Sequence, residues 1–124
     1  MRELSYGEVQ NGAFDKLLFF MRTRIITSKL ADTATVGSIV DLGCGYNGYF
    51  LRNITHRFPK LLEAVGVDVS VNANLGIPHI RLVPSNLNDR LPFADTTFDI
   101  IFSTAVLEHL ENPDLALAEM YRVL

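Results

Sequence analysis

An apolar run ending in Val40-Asp41-Leu42 opens onto three closely spaced glycines, Gly43, Gly45 and Gly48, and the next apolar run ends in Val67-Asp68-Val69. A chain leaves a buried strand and enters a helix within so few residues only where some φ angles are positive and the backbone approaches a neighbour or ligand closely. Glycine allows both because it has no Cβ. Strand, glycine turn, helix and second strand make a βαβ unit, which implies a parallel sheet. Asp68 stands 20 residues beyond Gly48, the interval at which an acid at the tip of the second strand accepts hydrogen bonds from both hydroxyls of a ribose. A ribose-bearing ligand is therefore expected.

Taken literally, Gly43-x-Gly45-x-x-Gly48 with Asp68 beyond it is also the dinucleotide fingerprint, so a nucleotide-dependent oxidoreductase is a competing reading. Asp41 separates the two. A carboxylate two residues before the first glycine lies where a dinucleotide brings its pyrophosphate, which it repels, whereas a ligand carrying an ammonium group is attracted. S-adenosylmethionine has that ammonium, a ribose for Asp68 and an adenine to slot beyond the second strand. The plainer role for Asp41 is to fix the loop by accepting backbone N–H bonds, which is compatible with ligand binding.

Four segments in order carry a wider likeness: Asp41-Leu42-Gly43-Cys44-Gly45, Val67-Asp68-Val69-Ser70, the run Leu91-Pro92-Phe93-Ala94-Asp95-Thr96-Thr97-Phe98-Asp99-Ile100-Ile101, and Leu107-Glu108-His109-Leu110. From about Val36 to the C-terminus the chain resembles the class I S-adenosylmethionine-dependent methyltransferases. The resemblance implies methyl transfer to an acceptor, a small molecule being the expected class. Asp41 would then face the ammonium side, Gly43, Gly45 and the helix start near Gly48 would cradle the methionine part, and Asp68 would hold the ribose. Val69 would cover one adenine face, Asn86 and Leu87 would lie at its edge, and Ser103 would sit near the transferred methyl. His109 is a candidate general base or acceptor-site residue, set against a packed or capping role. The sequence departs from the family pattern at Tyr46-Asn47, which lengthens the glycine loop, and at Ser85-Asn86, where relatives usually place an acid; Asn86 still offers a carbonyl oxygen. A non-catalytic cofactor-binding or interaction module derived from the same fold is the alternative.

The chain has 124 residues, 48% of them hydrophobic and 20% charged, enough for a single core in a globular domain. A net charge of −3 argues against a broad nucleic-acid surface. Cys44 is the one cysteine, so no internal disulfide or cysteine-rich metal cluster is expected, and His56 and His79 lack partners at metal-ligand spacing. No apolar run approaches the roughly twenty residues that span a bilayer, and the N-terminus, with Glu3 and Glu8, does not resemble a secretory signal. Neither a metal nor a membrane partner is expected, and the cytoplasm is the expected compartment.

Helical spacing of Phe14, Leu17, Leu18, Met21 and Ile25 predicts a helix from Ala13 to about Leu30, capped by Asn11 or Gly12, with those residues as the packed stripe and Lys16, Arg22, Arg24 and Lys29 in a solvated face, a reading set against a membrane-surface or anionic-partner role for the basic segment. Strands are predicted over Val36–Leu42, Ala64–Val69, His79–Val83 and Phe98–Ser103, with a helix from Tyr49 to about Phe58 closed by Pro59. A last helix starts at Asn112-Pro113-Asp114, with Leu115, Leu117, Ala118 and Met120 as its apolar positions. The alternation of strands and helices gives a Rossmann-like α/β fold, a parallel sheet with flanking helices. A helical segment over residues 1–35 precedes a cofactor-binding domain over 36–124, which the family pattern presents as truncated after strand four. The spatial strand order is then 3-2-1-4, with strand four an open edge suited to a homo-oligomer contact or a completing chain.

Overall fold

The computed structural model describes residues 12–30, 32–104 and 106–124. Asn11, Glu3 and Glu8 lie outside the described residues. In chain order the elements are α1 (Ala13–Ser28), β1 (Ser38–Leu42), α2 (Tyr49–Ile54), β2 (Glu63–Asp68), β3 (Ile80–Pro84), β4 (Ile100–Phe102) and α3 (Pro113–Val123), with 3-10 turns at Thr55–Arg57 and Leu107–His109. The four strands form one parallel sheet in the order β3-β2-β1-β4, the order that the family resemblance implies.

Successive side chains along a strand point to opposite faces, and this alternation divides the core in two. Ile39 and Ala64 join Phe50, Leu51, Ile54 and Phe102 on the face covered by α1 and α2. Val40, Leu42, Val65 and Val67 join Leu87, Leu91, Phe98 and Val123 on the face that receives α3 and the segment leading into β4. Burial on both faces explains why β1 and β2 read as nearly continuous apolar runs.

β1 and β4 are shorter than their apolar runs for a specific reason, whereas β2 and β3 keep the expected length shifted by one residue. Asp99 Oδ2 accepts hydrogen bonds from Gly37 N (2.8 Å) and Ser38 N (3.0 Å), so the backbone donors ahead of β1 go to a side chain. Those bonds, first from Gly37 and then from Ser38, hold the Asp99 carboxyl below its ordinary range. Phe98 N donates to Val123 O at 3.0 Å, which leaves β4 only three residues long. The helix after the glycine turn stops at Ile54 and tightens into a 3-10 turn before Pro59.

Two helix faces differ from expectation. In α1 the inward residues are Phe19 and Ile26, with Leu30 beyond the helix, whereas Phe14, Leu17, Leu18, Met21 and Ile25 are all exposed. The helix carries two apolar stripes, and spacing alone does not say which one meets the sheet. In α3, Leu117 and Ala118 are exposed and the buried face is Ala116, Glu119 and Val123. A charged residue takes a core-facing position there because Arg122 supplies two hydrogen bonds to its carboxylate, at 2.8 and 2.7 Å. Arg122 also donates to Leu91 O, Phe93 O and Asp95 Oδ1, and Leu91 N donates to Glu119 Oε2 at 2.8 Å. The helix is thereby clamped to the segment that precedes β4. At the other end of α3, Asn112 caps through Oδ1, which accepts from Leu115 N, with Pro113 at the first turn.

Candidate cofactor site

The glycine loop is built from the end of β1 over the end of β2. Gly43 N and Cys44 N both donate to Val67 O, at 2.7 and 3.1 Å. Gly43, Gly45 and Gly48 have φ of 84°, 76° and 58°, the left-handed region that side chains disfavour. A Cβ at Gly43 would run into Val106 Cγ2, and one at Gly48 would lie 2.9 Å from Leu82 Cδ2. At those two positions the close neighbour is therefore another residue of this chain. The two residues that lengthen the loop are anchored as well: Asn72 N donates to Tyr46 O (2.7 Å) and Asn72 Nδ2 to Asn47 Oδ1 (3.1 Å). Gly48 caps α2, and the ring of Tyr49, which follows it, makes a tilted contact with Phe19 of α1, centroids 4.9 Å apart.

Asp68, the last residue of β2, splints this loop. Its Oδ2 accepts from Gly45 N at 2.9 Å and its Oδ1 from Val69 N at 2.7 Å. A carboxylate oxygen has two lone-pair sites, so each retains one for a further donor. Sequence reasoning placed Asp68 at a ligand and missed its bond to the loop, which no spacing rule reveals.

Asp41 is the central electrostatic feature. It is 2% exposed, its register partners are Gly66 in β2 and Phe102 in β4, and its Oδ1 has no hydrogen-bond partner among the described residues. Burial, and secondarily the charge of Asp68, push its carboxyl up to about 7. Native structures seldom leave a buried carboxylate oxygen unpaired, so this one requires an explanation. Ser103, just past β4, has a second buried and unpartnered oxygen, Oγ. Both lie at the carboxyl ends of adjacent parallel strands, the end at which open α/β sheets bind ligands.

The other predicted residues spread around this edge. The β2–β3 register pairs Asp68 with Pro84, and Ser85 N donates to Asp68 O at 2.9 Å, which brings the segment after β3 to the tip of β2. Val69 is exposed there. Asn86 is exposed and its Oδ1 accepts from Asn88 N at 2.9 Å, closing a turn. The Leu87 side chain is buried in the α3-side core beside Val65 and Val67. His109 lies in the 3-10 turn after β4, half exposed, with Nε2 4.0 Å from Glu108 Oε1. His56 and His79 are exposed elsewhere, and no group of three metal-ligating side chains occurs among the described residues.

Two further residues shape the site without having been singled out. Val106 packs where Gly43 lacks a side chain, and Gly66 leaves room for Cys44 Sγ, which would stand 2.7 Å from a Cβ at that position. A glycine inside an apolar strand was the available signal for the second.

Residues 40–124 match the methyltransferase domain family. The chain belongs to that family. It is 36% identical over 105 residues to a demethylmenaquinone methyltransferase from a Roseiflexus species, covering 81% of this chain and 43% of that one. It is 32% identical over 106 residues to a malonyl-[acyl-carrier protein] O-methyltransferase from Geobacter sulfurreducens, covering 82% and 39% respectively. In fold it is similar to phosphoethanolamine N-methyltransferase 2 from Haemonchus contortus, solved in complex with phosphomonomethylethanolamine and S-adenosylhomocysteine. That likeness has a TM-score of 0.70 at 21% identity, over 85% of this chain and 26% of that chain. The chain thus spans less than half the length of these relatives, and the part shared with the two sequence relatives includes the glycine loop of the family domain.

Proposed function

We propose that the chain forms the S-adenosylmethionine site of a methyltransferase acting on a small-molecule acceptor. The observation that carries this reading is the buried carboxylate of Asp41, whose Oδ1 has no hydrogen-bond partner among the described residues. What its surroundings lack is a cation. The ammonium of the methionine part supplies one, whereas a pyrophosphate would add negative charge beside two carboxylates. In this reading the spare lone pairs of Asp68 accept from the two ribose hydroxyls, and Gly43, Gly45 and Gly48 shape the loop around the methionine part. Val69 and Asn86 border the adenine, and Leu87 supports that edge from the core. The cofactor brings the transferable methyl on a sulfonium. The chain's task is to hold that group in line with an incoming nucleophile, with Ser103 and His109 on the acceptor's side.

The two sequence relatives are named for different acceptors, demethylmenaquinone and a malonyl group on acyl-carrier protein. What the two names share is methyl transfer, which supports placing the methyl-donor site in the common region. Calorimetric titration of the 124-residue chain at pH 8 with S-adenosylhomocysteine and, separately, with NAD tests the reading. S-adenosylhomocysteine should bind at least about tenfold more tightly, a difference of roughly 1.4 kcal/mol. Tighter binding of the dinucleotide by the folded chain would overturn it.

A further inference from the structure

The side of α1 that meets the sheet is defined by Phe19 and Ile26, and Thr27 beside them is buried. On the other side Phe14, Leu17, Leu18, Met21 and Ile25 are each at least 42% exposed, Phe14 reaching 69%. At 3.6 residues per turn these five fall within an arc of about 100° that faces away from the molecule. Arg24 borders the arc on one side and Lys29 and Arg22 border it on the other, with Asp15 the next position beyond them, and Arg22 shares a shallow depression with Leu18, Met21 and Ile25. Among the described residues no carboxylate pairs with Lys16, Arg22, Arg24 or Lys29. These four are more than a third of the 11 Lys and Arg in a chain whose net charge is −3, so positive charge is concentrated on this helix.

An apolar face rimmed by cations suits a partner that is apolar within and negative at its rim. A second copy of α1 meets only half of that requirement, because face-to-face packing brings arginines against arginines. An anionic lipid surface meets both halves: hydrocarbon for the arc, headgroups for the guanidinium and ammonium groups. We propose that α1 is an interfacial helix that docks this domain on an anionic lipid bilayer, in the plane of the surface and without spanning it. Leu17, Met21 and Ile25 enter the acyl boundary, and Arg22, Arg24 and Lys29 hold the headgroups. This revises the expectation that no membrane partner exists, and it stands whatever ligand the glycine loop takes. The Phe19–Tyr49 contact ties the docked helix to the start of α2.

Sedimentation with vesicles of phosphatidylglycerol and phosphatidylcholine, against vesicles of phosphatidylcholine alone, tests it on the full chain. Since the sequence has no tryptophan, Phe14→Trp adds a single emission reporter at an exposed position. Expected results are a preference of about tenfold or more for the anionic vesicles, loss of that preference at high salt, and a blue shift of the Trp emission on binding. Leu17→Glu/Met21→Glu should abolish binding, and Arg22→Glu/Arg24→Glu should remove the anionic preference, both with unchanged far-ultraviolet circular dichroism. Equal partition into both vesicle types, or no binding to either, would overturn the proposal. So would a dimer that Leu17→Glu/Met21→Glu converts to monomer in a chain that ignores vesicles, since the face would then belong to a second copy.

Discussion

The side chain of Asp41 connects ligand chemistry to stability through one proton. Its carboxyl titrates near 3.8 in an unfolded chain and near about 7 in the fold, so between those values the folded state holds more protons. Stability from this group is therefore greatest below the unfolded value and falls as pH rises through the window, by an amount on the order of 4 kcal/mol at full extent. Asp41→Asn should raise the denaturant midpoint clearly more at pH 8 than at pH 5, as urea unfolding at both values would show. The same substitution should weaken S-adenosylhomocysteine binding. In the unchanged chain, affinity should drop by about tenfold per pH unit below 7, because the carboxyl must release its proton to meet an ammonium; titration from pH 5.5 to 8 checks this slope, and a flat profile would contradict the role given to Asp41. The unusual character of Asp41 was legible in the sequence, since an acid at the end of an apolar strand is conspicuous. The backbone bonds of Asp68 were not legible, because they depend on where the loop folds back.

Among the elements, α3 shows how a motif can be structural. The segment from Leu91 to Asp99 is held by Arg122 and Glu119, and Thr96 N and Thr97 N donate to Arg122 O and Val123 O. Hydrogen bonds from Arg122, then from Leu91 N, bring the Glu119 carboxyl down to about 2. Its contribution is therefore complete above the unfolded value of 4.5 and is lost as pH falls toward about 2. Arg122→Ala leaves that carboxylate with little compensation and should cost about 2–4 kcal/mol in chemical denaturation at pH 7. Glu119→Gln should cost less and should flatten the acid limb of the stability profile between those pH values. The parallel sheet followed from the glycine turn and the alternation of apolar runs, whereas the strand order came from the family resemblance and not from any spacing. The outward stripe of α1 and the buried Glu119 did not follow: periodicity identifies a face, and only tertiary contacts decide which way it turns.

At the scale of the whole molecule, β4 is bonded to β1 on one side and ends the sheet on the other. An unpaired strand edge offers backbone donors and acceptors to another chain. Light scattering over a dilution series of the 124-residue chain should show a mass that climbs above the monomer with concentration; a constant monomer mass would remove the edge as a contact surface. Asp41 and Asp68 also differ in a way that bears on descent. A lineage that stopped using a cofactor there would still draw on Asp68, which accepts from Gly45 N of the glycine loop. It would gain stability by discarding Asp41, whose charge the fold itself never answers. On the proposed reading, Asp41 is thus the acid that only ligand binding would retain, and the first that drift would erase once that binding was lost.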